Sequence, residues 1–119
     1  MRGFYMNKKI IGAWGEKVVK NYLENKGYLI LEANWHYRHK ELDMVVYKDQ
    51  LIGVEVKTRT SLTDLSFTVL KAKQVSNLRI ALNAYCRLHH LRYHQTRLDL
   101  IIVTIKDKKS ILIKHHQDI

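Results

Sequence analysis

Apolar residues recur at three- and four-residue steps in two stretches of the chain. In five others they alternate with polar residues or run without a break. The first helical stripe is Ile11, Trp14, Val18 and Tyr22, with Leu23 beside it, over roughly residues 8–26. Asn7 suits an N-cap and Gly27 a helix stop. Tyr28-Leu29-Ile30-Leu31 begins a strand that runs toward Trp35; Leu42–Tyr47 is a second strand and Leu51–Thr58 a third. Lys48-Asp49-Gln50 is short and polar, so the second and third strands form an antiparallel hairpin. Residues 59–68 are polar and read as a loop. A second helix spans roughly 71–88, with Val75, Leu78, Leu82 and Tyr85 on one stripe. Leu98–Ile105 is β-branched enough for the middle of a sheet, Asp107-Lys108-Lys109 makes a turn, and Ser110–Lys114 a last short strand. The order αβββαββ predicts an α/β fold, one mixed sheet of about five strands flanked by helices.

No proline, linker or repeat interrupts the 119 residues, so the expectation is a single domain over 1–119. The longest apolar run, Leu100–Val103, is far short of the roughly 20 residues a membrane span needs. The N-terminus meets charge too early for a signal peptide, and the one cysteine, Cys86, cannot form an internal disulfide. These features predict a cytoplasmic protein without a membrane partner. Cys86, beside Tyr85, reads as a packing residue.

Charge narrows the partner. Lys and Arg number 21 against 11 acids, a net charge of +10, which suits a polyanion and nucleic acid first. The plainer alternative is that the charge serves solubility. Between Ser66 and Thr96 there is no acid, while Lys71, Lys73, Arg79 and Arg87 offer phosphates a positive face, with Tyr93 available for stacking. His90 and His94 have the spacing of a zinc pair only if they lie on a helix, and no further ligand is near, so zinc is not expected.

The hairpin carries the chemistry. Glu55 and Lys57 share one strand face, and Val54 and Val56 take the other. With a three-residue turn, Tyr47 faces Leu51 and Asp43 falls opposite Glu55, with β-carbons about 5 Å apart. A two-residue turn would move that register by one place. Paired carboxylates in apolar strands call for a positive partner. A hard divalent cation such as Mg²⁺, or Mn²⁺, suits them, and Lys57 can then act on water or a phosphate. The competing reading is a plain salt bridge of Lys57 with Glu55 or Asp43.

Asp43 followed by Glu55-x-Lys57 resembles the metal site of restriction-endonuclease-like nucleases. The chain more closely resembles the YraN-type family of small bacterial proteins, predicted nucleases related to archaeal Holliday-junction resolvases. The resemblance is carried by Gly15-Glu16, Tyr22-Leu23, Gly27-Tyr28, Asn34, Glu41-Leu42-Asp43, Val54-Glu55-Val56-Lys57-x-Arg59, Lys73-Gln74 and Arg97-Leu98-Asp99. It implies a restriction-endonuclease-like fold and a metal-dependent endonuclease acting on DNA, including branched DNA. Its candidate site residues are Glu16, Asp43, Glu55 and Lys57, with Asp43 and Glu55 on the metal and Arg59 among the DNA contacts. A homodimer is left open. The alternative is a nucleic-acid-binding module that kept the fold without turnover. Three positions depart from the family pattern: Lys40 replaces a usual glycine, Gly53 a bulky apolar residue and Val19 an alanine.

Overall fold

Asn7 caps the first helix as its sequence position predicts, its side chain accepting the Ile10 N–H at 2.9 Å. In the computed structural model, residues 7–60, 70–92, 95–107 and 110–119 are described. The expected loop over 61–68, Tyr93, His94, Lys108 and Lys109 lie outside the described residues. Helix α1 (Lys8–Asn25) leads to three strands, β1 (Leu29–Tyr37), β2 (Lys40–Tyr47) and β3 (Leu51–Arg59). Helix α2 (Ala72–Leu88) follows, then β4 (Thr96–Ile105) and β5 (Ile111–His116). The sheet order is β1-β2-β3-β4-β5. Only β3 and β4 are parallel, joined by the α2 crossover, and the other pairs are antiparallel. This is the expected mixed five-stranded α/β arrangement. No helix among the described residues is long and apolar enough to cross a membrane.

The sheet separates two apolar layers. On the α1 side, Val19 and Leu23 pack with Met44, Val46, Ile52, Val54, Ile101 and Val103. On the α2 side, Leu78, Leu82 and Tyr85 pack with Leu42, Val45, Leu51 and Leu98, which bears out the predicted α2 stripe. Cys86 packs against that second layer, and burial pushes its thiol pKa up. Leu42 faces α2 while Met44 faces α1, so the pleat of β2 is broken at Asp43. Opposite that break, Asn34 of β1 takes a positive φ of 52°.

Helix α1 buries a different stripe from the one its apolar periodicity suggested. Gly15, Val19 and Leu23 face the sheet, while Trp14 remains 37% exposed and Val18 and Tyr22 only flank the core. The reason is Gly15. A side-chain carbon there would overlap Thr58 Oγ1 on β3, so glycine lets the helix lie directly on the strand. Gly53 has a comparable cause. A carbon added to it would meet Leu98, Leu42 and Leu82 at 3.0–3.4 Å, so three leucines fill the space a side chain would occupy.

Candidate active site

The β2–β3 hairpin has the register expected for a three-residue turn: Tyr47 pairs Leu51, Val46 pairs Ile52, Val45 pairs Gly53 and Met44 pairs Val54. Asp49 in the turn adopts φ 64°. The regular ladder stops at Met44–Val54, one residue before Asp43 would face Glu55. There the strands separate, and Asp43 Oδ2 fills the fork by accepting the Val56 N–H at 2.7 Å. Leu51 and Gly53 lie on the α2 side, so Glu55 and Lys57 continue that face.

Three acids meet at the fork. The Asp43 carboxyl group lies close enough to Glu55 on one side and to Glu16 from α1 on the other to raise the pKa of both. Glu16 reaches this point because Gly15 brings α1 close to β3. Burial and the Asp43 carboxylate push Glu55 up to about 8. Burial, then Asp43 and Glu41, push Glu16 up to about 7. Asp43 is also raised by burial, although the Val56 N–H opposes that shift. Lys57 Nζ stands 3.5 Å from Glu55 Oε2. One cation beside three crowded carboxyl groups leaves negative charge unmatched, so the cluster keeps protons toward neutral pH.

The donors are all carboxylate oxygens, the type a hard divalent cation takes, and a bound cation would replace the protons that now relieve the repulsion. Asp43 and Glu55 could share one. Among the described residues, no group of three His, Cys, Asp or Glu side chains is placed to hold an ion by itself. Backbone carbonyl and water would therefore complete its coordination.

The expected DNA contacts divide. Lys71 and Lys73 are exposed at the start of α2 and Arg87 near its end. Arg79 is half-buried and donates to Thr96 Oγ1 at 2.9 Å. Arg59 corrects its expectation: β3 extends through it, so it is no loop residue. It is 6% exposed and its Nε donates to Thr104 Oγ1 at 2.9 Å. The helix ends at Leu88 and His90 has φ 54°, so no helical His pair forms.

One buried network had only half a signal in the sequence. Asp99 is held by Arg97 through two bonds of 2.8 and 2.9 Å, by the Asp118 N–H at 3.1 Å and by His115 Nε2 at 2.7 Å. With its proton on Nε2, His115 accepts Tyr22 O–H at Nδ1, 3.0 Å away. Arg97 and Asp99 are two apart on one strand, so their pairing was an option in the sequence. His115 arrives only through the β4–β5 register, where it faces Ile101.

The sequence profile of the uncharacterised protein family UPF0102 matches residues 15–103. The chain belongs to that family, the YraN-type family. It is 39% identical to a UPF0102 protein of Caldanaerobacter subterraneus over 112 residues, covering 92% of this chain and 91% of the relative. It is 37% identical to one from Parabacteroides distasonis over 110 residues, covering 91% and 89%. A Syntrophomonas wolfei protein is 36% identical over 107 residues, covering 88% and 92%. The matched span contains Glu16, Asp43, Glu55 and Lys57, so the acid cluster lies inside this member's family region.

Proposed function

We propose that this UPF0102 protein is a metal-dependent endonuclease that hydrolyses phosphodiester bonds in DNA, including branched DNA. The observation that carries the reading is the fork at Asp43, where Glu16 and Glu55 converge on one carboxylate and Lys57 shares the Glu55 strand face. Asp43 and Glu55 would hold Mg²⁺ or Mn²⁺, which supplies a Lewis acid and an activated water when bound. Asp43 stays oriented through the Val56 N–H. Glu16 accepts a proton from water or steadies the cluster, with a pKa of about 7 suited to that work. Lys57 offsets charge on the phosphate as the P–O bond breaks. The net charge of +10 and the exposed Lys71, Lys73 and Arg87 support attraction of the DNA backbone.

The second reading, a binding module without turnover, draws on the 3.5 Å Lys57–Glu55 ion pair, which is also what an inert salt bridge looks like. Cleavage of plasmid, single-stranded and four-way-junction DNA with and without Mg²⁺ separates the two. The nuclease reading expects Lys57→Ala to slow single-turnover cleavage roughly a hundredfold to a thousandfold, with salt-dependent DNA affinity nearly unchanged. Equal cleavage by wild type and variant removes Lys57 from the site. Absence of cleavage of every form with either metal leaves the module.

A further inference from the structure

Beside the acid cluster lies a second group of side chains that the cleavage chemistry does not use. Trp35 and Tyr37 are two apart on β1, so both project to one face of this edge strand. Trp35 packs into the α2-side layer, and its ring meets Tyr85 edge-on, 5.3 Å away at 86°. It is thereby fixed from below. The Tyr37 ring lies parallel to it, within 3°, at a centroid distance of 6.2 Å. Arg87 donates to Tyr37 Oη at 3.2 Å, with its guanidinium 5.7 Å from the ring centre, and the Arg38 guanidinium is 5.3 Å from that centre. Trp35 and Tyr37 are half-buried, and Arg38 and Arg87 are exposed. Among the described residues neither arginine is ion-paired with a carboxylate.

Position gives this group its meaning. Trp35 pairs Leu42 and Tyr37 pairs Lys40, so the stack flanks the β2 segment that carries Asp43. It lies on the α2 side of the sheet, the side that Glu55 and Lys57 continue, with only β2 between. We infer that the Trp35–Tyr37 stack, flanked by Arg38 and Arg87, is a platform for unpaired DNA bases next to the acid cluster. This rests on the DNA reading above and narrows its substrate to DNA with a single-stranded segment near the bond to be cut. A base in a duplex hides both faces in its own stack, whereas an unpaired base offers a π-face to an aromatic ring. The two guanidinium groups suit the phosphates on either side of that base.

The test measures binding in EDTA, so that cleavage plays no part. The chain has two tryptophans, and in Trp14→Phe the emission comes from Trp35 alone. The probes are a thymidine oligonucleotide of about twenty residues and a blunt hairpin duplex with the same number of phosphates. The oligonucleotide should quench Trp35 and the duplex should not. Tyr37→Ala should weaken the oligonucleotide about tenfold and the duplex by less than about twofold, because one lost base stack is worth that much. Tyr37→Phe should restore binding, since the ring face remains. Tyr37→Leu repeats the test with apolar bulk kept, should alanine unfold the edge. Equal loss on both probes, no loss, unmoved Trp35 emission or absence of binding to either probe overturns the platform. Cleavage in Mg²⁺ is scored separately. Cutting without this preference leaves the nuclease reading standing alone, and the preference without cutting leaves only the platform.

Discussion

Asp43 caps the Val56 N–H at 2.7 Å where β2 and β3 part. The same carboxylate stands between Glu16 and Glu55, so one side chain both closes the fork and gathers the acids. Structure and candidate chemistry are thus coupled through a single hydrogen bond, and different substitutions separate them.

Asp43→Asn keeps an oxygen for Val56 N–H and removes the charge, whereas Asp43→Ala removes both. The alanine variant should be less stable than the asparagine variant by about 1–3 kcal/mol, the cost of leaving a partly buried donor unmade. Both should lose divalent-cation affinity in calorimetry. Equal melting temperatures for the two would mean that the Val56 bond contributes nothing.

Glu55 and Glu16 set the pH response of the metal-free protein. Their folded pKa values, about 8 and about 7, lie above the ordinary 4.5. A raised acid favours folding most below its unfolded value, and that contribution is lost as pH rises through the folded one. Stability should therefore fall from about pH 4.5 to about pH 8. Glu55→Gln should flatten this trend and raise the melting temperature at pH 8 by about 4 °C for each kcal/mol recovered. In wild type, Mg²⁺ should restore the loss, more at pH 8 than at pH 6, because the cation competes with protons. A thermal shift with Mg²⁺ that is the same at both pH values would sink this account.

Asp99 carries the opposite sign. Burial works against its charge, but His115, Arg97 and the Asp118 N–H together hold its pKa below the usual carboxylate range. Its stabilisation is present above the unfolded value of 3.8 and is lost as pH falls further. Asp99→Ala should cost about 3 kcal/mol near neutral pH, since it strands the Arg97 guanidinium. Chemical denaturation at pH 7 and at pH 3 checks both, and the wild-type advantage should shrink at the lower pH.

The contact of α1 with β3 is equally open to test. Gly15→Ala should destabilise by about 1–3 kcal/mol, because the added methyl overlaps Thr58 on a buried strand. Among the described residues Thr58 Oγ1 is buried without a hydrogen-bond partner. Thr58→Val should therefore be neutral or stabilising, and Gly15→Ala with Thr58→Ala should recover part of the loss. If Gly15→Ala melts with wild type, α1 does not depend on this close approach.

The sequence by itself determined the order αβββαββ and the α2 stripe, because both follow from local periodicity, and it left the hairpin register to the length of one turn, which the structure shows to be three residues. The same counting put Asp43 opposite Glu55, whereas the regular ladder stops one pair short of them, at Met44–Val54. Periodicity misjudged α1, since it ranks positions by apolarity, and the deciding residue was Gly15, whose lack of a side chain counts only against Thr58. Arg59 read as a polar loop residue because nothing local announces that a strand will bury it beside Thr104. His115 carried no local sign of its partner, which a second strand brings to it. Only the tertiary structure decided that β2 leaves β3 at Asp43, that Glu16 crosses from the helix to meet it, and that Tyr85 and Arg87 of α2 meet Trp35 and Tyr37 of β1. Such contacts join residues far apart in the chain, and their energies depend on burial and distance that no short stretch of sequence contains.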